Sequence, residues 1–583
     1  MIQNYKADTP KNTIQRIRNI LEQHGIVTDC ITFGKAGMSH SARVTVKLSD
    51  HNLNIGTNGK GMTEEYAIAS AYGELMERLC NKALIFATKY SSRLFRANNS
   101  DLKILPYKHL DFRYFPDEQY RTISSAELCK WGNELLPNSI FYKDLHPDKL
   151  YDMPFLPFLD YFEGKEVLLP YDMIRLASGS TGLCAGNTKE EAILQGINEI
   201  FERFVLQRIY IEQPVLPTLK LEHFSDTEIG NRIESLERQT GWRFSIKDCS
   251  LGRGLPVIGL LIIDDSSGKY TFRLGADSSD EIALQRCFTE IFQGNNIDNS
   301  AFLNISVSEN WEIKQEYEKN VLNGRGHYPN SIFIEDANSH DKYLKPHTGN
   351  SIESNLTNTI EWLRMHNYNL FIRDNSFMGF PVFQIFIPRL SDVNEKLSGI
   401  KDLLLDNYNH YKIADEYRLK RITKDEAKSV INKYRYHNNN KIRLFNYSLS
   451  PYNNINKDLL LSMLSYYVGN YSDAHKFLSD FLDSKLAIGQ KQNAYYYCVR
   501  DFFSLKHKKY NDINIRNVLS TLYSTKIAEE VLNDISDESR ILQNFPIPDC
   551  FNCQNCSHRE LCHYKSIIEF ESKIQGIQTQ FYN

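Results

Sequence analysis

The sequence has no apolar run approaching the roughly 18 residues that a membrane-spanning helix needs, so no span is expected. It has no excess of one charge. Its 68 basic and 72 acidic side chains leave a formal net charge of −4, which gives no electrostatic footprint for nucleic acid. The first residues, MIQNYKADTPKNTIQRIRNIL, contain no apolar signal core, so export is not expected and a cytoplasmic location is. Two common phosphate-binding glycine loops are also missing: there is no G-x-x-x-x-G-K-[ST] and no G-x-G-x-x-G, and NGKGMT at 58–63 is only superficially similar. A bound nucleotide would need a different cradle. Seven of the 11 cysteines (Cys30, Cys80, Cys129, Cys184, Cys249, Cys287 and Cys498) are scattered singly, as buried thiols in a reducing compartment are, so disulfides are not expected.

What is present is a globular balance, 42% hydrophobic and 24% charged, on a chain of 583 residues that is too long for one core. Residues 14–25 have the spacing of an amphipathic helix, and RVTVKL (43–48) alternates as a strand does. A turn-rich GTNGKGMT (56–63) leads into a helix over 63–80, and a second turn and helix cover 178–208. LPVIGLLIID (255–264) is a buried strand, TFRLGAD (271–277) another, and a third helix follows at 280–293. FIRDNSFMGFPVFQIFIP (371–388) supplies two more strands. This interleaving predicts an α/β or α+β fold for residues 1–404. Over 405–545 helical patterns dominate and strand runs disappear, giving an α+β domain followed by a mainly helical region. Within it LLLSMLSYYVGNYSDAHKFLSDFL (459–482) carries Gly469, Tyr471 and Ala474 as a tetratricopeptide turn does, and an ordinary helical hairpin fits those residues equally well. Residues 546–583 form a separate cysteine-rich tail.

An α-helix advances about 100° per residue, so spacing assigns side chains to faces. In SAYGELMERL, Ser70, Glu74 and Glu77 share one face. In the second helix Glu191, Gln195, Glu199 and Glu202 fill one stripe, and in the third Arg286, Glu290 and Gln293 do so. The first two also match in sequence. Glu74, Glu77 and Arg78 are echoed 125 residues later by Glu199, Glu202 and Arg203, which hints at internal duplication. One acidic stripe is ordinarily a solvated face. Three stripes that also carry Ser and Gln are better read as convergent. Converging carboxylates repel one another unless a cation lies between them. Hard oxygen donors select Mg²⁺ or Ca²⁺, and Mg²⁺ held by a few carboxylates goes with a phosphate-bearing substrate. Arg78, Arg203 and Arg286 add bidentate phosphate donors. The residues alone therefore predict a Mg²⁺–nucleotide site that is not a P-loop.

The same residues resemble the YcaO family, most closely its long form with a helical C-terminal extension. The motifs are Ser70-x3-Glu74-x2-Glu77-Arg78, then Ser180-x6-Asn187-x3-Glu191-x3-Gln195-x3-Glu199-x2-Glu202-Arg203, then Arg286-x3-Glu290 with Gln293, and the wording GKGMT and AGNT also fits. The resemblance implies ATP and Mg²⁺ as cofactors. It implies that Glu74, Glu77, Glu199, Glu202 and Glu290 hold Mg²⁺, and that Ser70, Arg78, Ser180, Asn187, Glu191, Gln195, Arg203 and Arg286 hold the nucleotide. Lys6 and Thr13 match a Lys and Ser of the long form that touch the nucleotide, with Thr for Ser. The implied chemistry is phosphorylation of a peptide amide oxygen followed by attack of a nucleophile at that carbon. A Cys, Ser or Thr side chain would give an azoline ring, and sulfide a thioamide. The implied alternatives are an accessory role in methylthiolation of a small-subunit ribosomal protein and a non-catalytic ATP-binding scaffold. A peptide or protein substrate, a peptide-capture or sulfur-delivery partner, and a homodimer are implied as well. No catalytic residue is assigned. Cys184, in GLCAGNT, is expected to be a packed small thiol.

The tail DCFNCQNCSHRELCHY spaces Cys550, Cys553, Cys556 and Cys562 as metal ligands are spaced. A [4Fe–4S] cluster fits the last three, and tetrahedral zinc is the other reading.

Overall fold

The computed structural model describes residues 6–34, 39–48, 55–84, 115–135, 150–292, 303–304, 313–324, 326–335, 349–393, 423–435, 441–443, 454–487, 493–536 and 564–582. The chain divides into two compact units. One comprises Met1–Phe86, Phe112–Leu403 and Ile568–Asn583, the other Ala87–Asp111 and Leu404–Ile567.

The first unit opens with α1 (Pro10–Gln23), whose N-cap Thr9 accepts from the Asn12 N–H and which buries Thr13, Ile17 and Leu21 one turn apart. Strands β1 (Thr28–Gly34), β2 (His40–Val46) and β3 (Ile55–Gly61) form an antiparallel sheet covered by α2 (Glu64–Cys80). β3 is the segment whose glycines read as a turn in the sequence. The glycines serve close packing instead. A Cβ on Gly59 would stand 2.1 Å from the Ala67 carbonyl oxygen and 2.2 Å from the Ala71 nitrogen, so only glycine lets α2 lie this near the strand. The alternation of the strand then turns Asn58 and Lys60 to the opposite face, where Arg43 donates to Asn58 at 3.0 Å.

Next come β4 (Gln119–Ser124), α3 (Ser125–Leu135), β5 (Leu150–Asp160), β6 (Lys165–Pro170), α4 (Tyr171–Ser178), β7 (Leu183–Ala185) and the 24-residue helix α5 (Lys189–Glu212). They are followed by β8 (Thr218–Leu219), α6 (Glu228–Thr240), β9 (Arg243–Asp248), β10 (Val257–Asp264), β11 (Lys269–Ala276), α7 (Asp280–Phe292), β12 (Leu303–Asn304), α8 (Ile313–Asn323), α9 (Ile352–Met365), β13 (Phe371–Asp374) and β14 (Val382–Phe386). Two further sheets result, ordered β12-β11-β10-β9-β8 and β4-β5-β13-β14-β7 with β6 on β5. All strand pairs among the described residues are antiparallel, which makes the fold α+β. α5 packs against β7 and β14 of one sheet and β10 and β11 of the other. Ile197, Ile200, Phe204 and Ile209 of α5 join Leu261, Phe272 and Ile385 in the main core.

The second unit holds α10 (Lys424–Tyr434), a short ribbon of β15 (Lys441–Arg443) and β16 (Asn454–Asn456), and five helices. These are α11 (Lys457–Tyr467), α12 (Tyr471–Ala487), α13 (Ala494–His507), α14 (Asp512–Leu522) and α15 (Thr525–Ile535). The ribbon departs from the expectation that strands vanish here. α11 and α12 form an antiparallel hairpin that turns at Gly469 (φ +81°), and Ser462 donates to the Ala474 carbonyl across it at 2.6 Å.

α16 (Tyr564–Tyr582) returns the chain to the first unit from Ile568 onward, where Lys573 donates to the Gly25 carbonyl at 2.8 Å. Its Glu571 is buried, which raises the carboxyl to about 7 against the pull of Lys82. A carboxyl that titrates higher when folded costs stability as pH rises from the ordinary range, near 4.5, through 7. Glu571→Gln is therefore expected to stabilise the protein at pH 8 by up to about 3 kcal/mol and to change nothing below pH ~4.5, as read by urea unfolding at the two pH values. The four tail cysteines Cys550, Cys553, Cys556 and Cys562 lie outside the described residues, as does Gln293. Among the described residues no helix is long and apolar enough to cross a membrane.

Candidate nucleotide site

The three acidic helices are built alike. Each follows a strand with a glycine at or beside its end, and each is pulled onto that strand by backbone contact. Thr63 caps α2 and Thr188 caps α5 with the same backbone angles, φ −125° with ψ 166° and 165°. These caps stand 125 residues apart, as do the tight contacts that follow. A Cβ on Gly61 would meet the Ala67 nitrogen, and one on Gly186 the Ala192 nitrogen, each at 2.6 Å. α7 repeats the other contact of α2. A Cβ on Gly275 would lie 2.2 Å from the Ala283 carbonyl oxygen, matching Gly59 against Ala67. In that register Arg286 takes the place of Ser70, and Glu290 that of Glu74. The duplication suspected from two helices thus extends to three strand–helix units. The stripes converge because the same face of each helix is presented in the same way.

They converge on one cavity of about 480 Å³. Seven carboxylates (Asp8, Glu74, Glu77, Glu191, Glu199, Glu202 and Glu290) and five cations (Lys6, Lys60, Arg78, Arg203 and Arg286) line it. At the start of α5, Glu191 accepts from the Ala7 N–H at 2.9 Å, pairs with Lys6 at 3.2 Å and accepts from Asn187 at 3.3 Å. Thr13 donates to Asn187 at 2.9 Å. The N-terminal segment is thereby tied to the rim of the cavity, with Phe380 beside it under Arg16.

Deeper along α5 the balance changes. Arg78 lies 3.4 Å from Glu74 and 3.5 Å from Glu77, and its buried Nη1 has no partner among the described residues. Burial drives the Glu77 carboxyl well above the usual range; Arg78 opposes this, and Glu199 and Glu74 add to it. Burial raises Glu199 too, against Arg203 and Arg78 and with Glu202 adding. Arg286 donates to Gln195 at 2.7 Å and to Asp277 at 3.1 Å. Lys60 pairs with Glu290. Burial draws the Lys60 ammonium down to about 8, with Arg203 and Arg286 lowering it and Glu202 and Glu74 holding it up.

The donor set suits a hard cation, since no cysteine or histidine lines the cavity. Among the described residues no three acidic, His or Cys side chains stand together as a ready metal shell. Mg²⁺ is usually held by one or two carboxylates, waters and the phosphates it arrives with. The Arg78 Nη1, unpartnered among the described residues, is free to donate to a ligand in the cavity.

Of the residues singled out from the sequence, Lys6, Thr13, Ser70, Glu74, Glu77, Arg78, Asn187, Glu191, Gln195, Glu199, Glu202, Arg203, Arg286 and Glu290 all line the cavity. Ser180 does not. It lies in the turn before β7, from which the Gly182 N–H reaches Glu199 at 3.4 Å. Sequence reading missed Lys60, Asn58, Asp277 and Phe380. For the first two the signal was the period-two alternation of β3, hidden by its glycines. Cys184 is fully buried, and burial raises its thiol well above the usual range, as a packed thiol requires.

Residues 58–391 match the family model described as YcaO cyclodehydratase, ATP- and Mg²⁺-binding. The chain belongs to the YcaO family. A curated relative, the Escherichia coli ribosomal protein S12 methylthiotransferase accessory factor YcaO, is 26% identical over 354 residues, which are 58% of this chain and 57% of that protein. An uncharacterized Haemophilus influenzae protein is 24% identical over 400 residues, 62% of this chain and 63% of its own. The chain thus matches less than two thirds of the length of either relative. Among solved structures, a heterocyclase in complex with substrate and cofactor aligns with a TM-score of 0.46 and 16% identity, over 69% of this chain and 55% of that one. YcaO from Methanopyrus kandleri bound with AMPPCP and Mg²⁺ aligns with a TM-score of 0.41 and 17% identity, over 68% of this chain and 93% of that one.

Proposed function

We propose that this YcaO protein uses ATP and Mg²⁺ to phosphorylate a backbone amide oxygen in a peptide or protein. The observation that carries the reading is the convergence of three acidic stripes and their arginines on one cavity, in a chain whose family is described as ATP- and Mg²⁺-binding. Glu74, Glu77, Glu199, Glu202 and Glu290 would hold Mg²⁺. Ser70, Arg78, Asn187, Gln195, Arg203 and Arg286 would hold the nucleotide, with Lys6, Thr13 and Glu191 closing its rim and Ser180 acting from the turn behind. Mg²⁺ there would neutralise charge on the triphosphate and on the leaving ADP. The γ-phosphoryl group leaves the bridging oxygen of ADP and bonds to the amide oxygen. A nucleophile then adds at the amide carbon, and the C–O bond breaks with phosphate as leaving group. An amide oxygen leaves poorly and phosphate leaves well, so activation makes the substitution possible. A side-chain nucleophile gives an azoline, and sulfide gives a thioamide.

Two measurements test this. Mn²⁺, as a Mg²⁺ probe in electron paramagnetic resonance titrations, is expected to bind weakly alone and at least about tenfold more tightly with AMPPNP present. Comparing the host's peptides by mass spectrometry with and without the gene is expected to show a gene-dependent loss of water or exchange of oxygen for sulfur. If Mn²⁺ binding ignores nucleotide, the ATP reading fails.

A second reading is an accessory role in ribosomal protein methylthiolation, favoured by the name of the E. coli relative. Loss of S12 methylthiolation in the same deletion strain, with the peptide pool unchanged, would select it. A scaffold that binds Mg²⁺–ATP without transfer would keep its biological activity when hydrolysis is abolished. The cysteine tail is proposed from its spacing to hold [4Fe–4S] or zinc, and iron, sulfide and zinc analysis of anaerobically purified protein decides between them.

A further inference from the structure

The charged lining of the cavity comes from helices and the N-terminal segment, with one exception. Lys60 is the charged lining residue contributed by a strand, β3, and its side chain crosses to Glu290 on α7. Around the same ammonium stand Glu202 and Arg203 of α5, Glu74 of α2 and Arg286 of α7. Lys60 therefore stands where all three acidic helices meet, with its side chain 33% exposed into the cavity. Lys6 marks the other end, paired with Glu191. Glu191 and Glu202 are separated on α5 by eleven residues, or about 16 Å at 1.5 Å per residue. The Lys6 end carries the aromatic Phe380 and the amide of Asn187, which suit a nucleoside. The Lys60 end carries Glu74, Glu202, Glu290, Arg203 and Arg286, which suit the phosphates and their metal.

That polarity orients a nucleotide along α5 with its terminal phosphate toward β3. We infer that Lys60 contacts the γ-phosphate of ATP and accompanies it to the substrate's amide oxygen. The inference rests on the ATP reading above and adds a residue to it. Phosphoryl transfer spreads charge over three peripheral oxygens while the phosphorus moves between two others. Two of the arginines are fixed forks, Arg78 held at Glu74 and Glu77 and Arg286 at Gln195 and Asp277. A lysine is a single mobile cation on a four-carbon stem, so it can move with the group. Lys60 stays protonated throughout and transfers no proton. The bond broken is from phosphorus to the ADP oxygen, and the bond formed is from phosphorus to the amide oxygen.

The test needs no peptide. Wild type, Lys60→Met and Lys60→Arg are titrated calorimetrically with Mg²⁺–ADP and with Mg²⁺–AMPPNP, which differ by the γ-phosphate. Lys60→Met is expected to bind Mg²⁺–ADP within twofold of wild type and Mg²⁺–AMPPNP about 10- to 100-fold more weakly, the size of one charge-assisted contact. Lys60→Arg is expected to recover most of the difference. Equal weakening for both nucleotides, or for neither, would overturn the assignment and leave the ATP reading intact. A wild type that binds neither nucleotide would overturn both. If Lys60→Met melts well below wild type, the ADP-to-AMPPNP ratio of Lys60→Arg against Lys60→Gln decides the assignment in the same way.

Discussion

Glu199→Ala is expected to lower Mg²⁺-dependent ATP turnover by at least about a thousandfold while leaving the protein folded, and Glu202→Ala to do the same. Glu199 is half-buried, and no cation lies within ion-pairing distance of it among the described residues. The Gly182 N–H is its hydrogen-bond donor. Its environment, burial first, disfavours the charged form, and Arg203 and Arg78 only partly offset that. A group kept at such a cost does not stabilise the fold. The conservative variant Glu199→Gln should accordingly lose turnover as fully as the alanine while its unfolding free energy at pH 8 rises. A matched pair of assays checks this: ATP turnover with and without Mg²⁺, and urea unfolding at pH 8. Turnover within tenfold of wild type would remove Glu199 from the site, and a large loss of stability would recast it as a structural residue.

Gly59→Ala is expected to cost about 3 kcal/mol or more and to abolish activity with it. The added methyl would meet the backbone of α2 at 2.1 and 2.2 Å, and backbone cannot swing aside as a side chain can. The helix must move off the strand, taking Ser70, Glu74 and Glu77 away from α5 and α7. Gly73→Ala is the control. It sits inside α2 with nothing within 4 Å of its new methyl, and alanine favours helix there, so its stability should rise by about 0.5–1 kcal/mol. Two glycines fourteen residues apart thus have opposite expected signs, readable in one set of urea curves.

The contrast between Gly59 and Gly73 also separates what was legible in the sequence from what was not. Helical spacing alone put Glu74 with Glu77, and Glu199 with Glu202, because a helix face follows from a local period. The same logic found β10 and β11 within two residues of their observed ends. GTNGKG misled because glycine has two uses. Its composition speaks of turns, whereas here it clears room for a helix, and the clash it avoids lies in a different element. With that strand unseen, Lys60 and Asn58 had no face to be assigned to.

The sequence by itself determined which side chains share a stripe and that the site must be acidic and unlike a P-loop. Each of these depends on residues within two or three turns of one another. Only the tertiary structure decided that the three stripes meet, that α7 repeats the register of α2, that Glu191 is committed to Lys6 and the Ala7 N–H, and that Lys60 stands among the carboxylates. Those facts depend on how closely separate strand–helix units pack, and that distance is set by glycines and alanines whose contacts are remote in the chain.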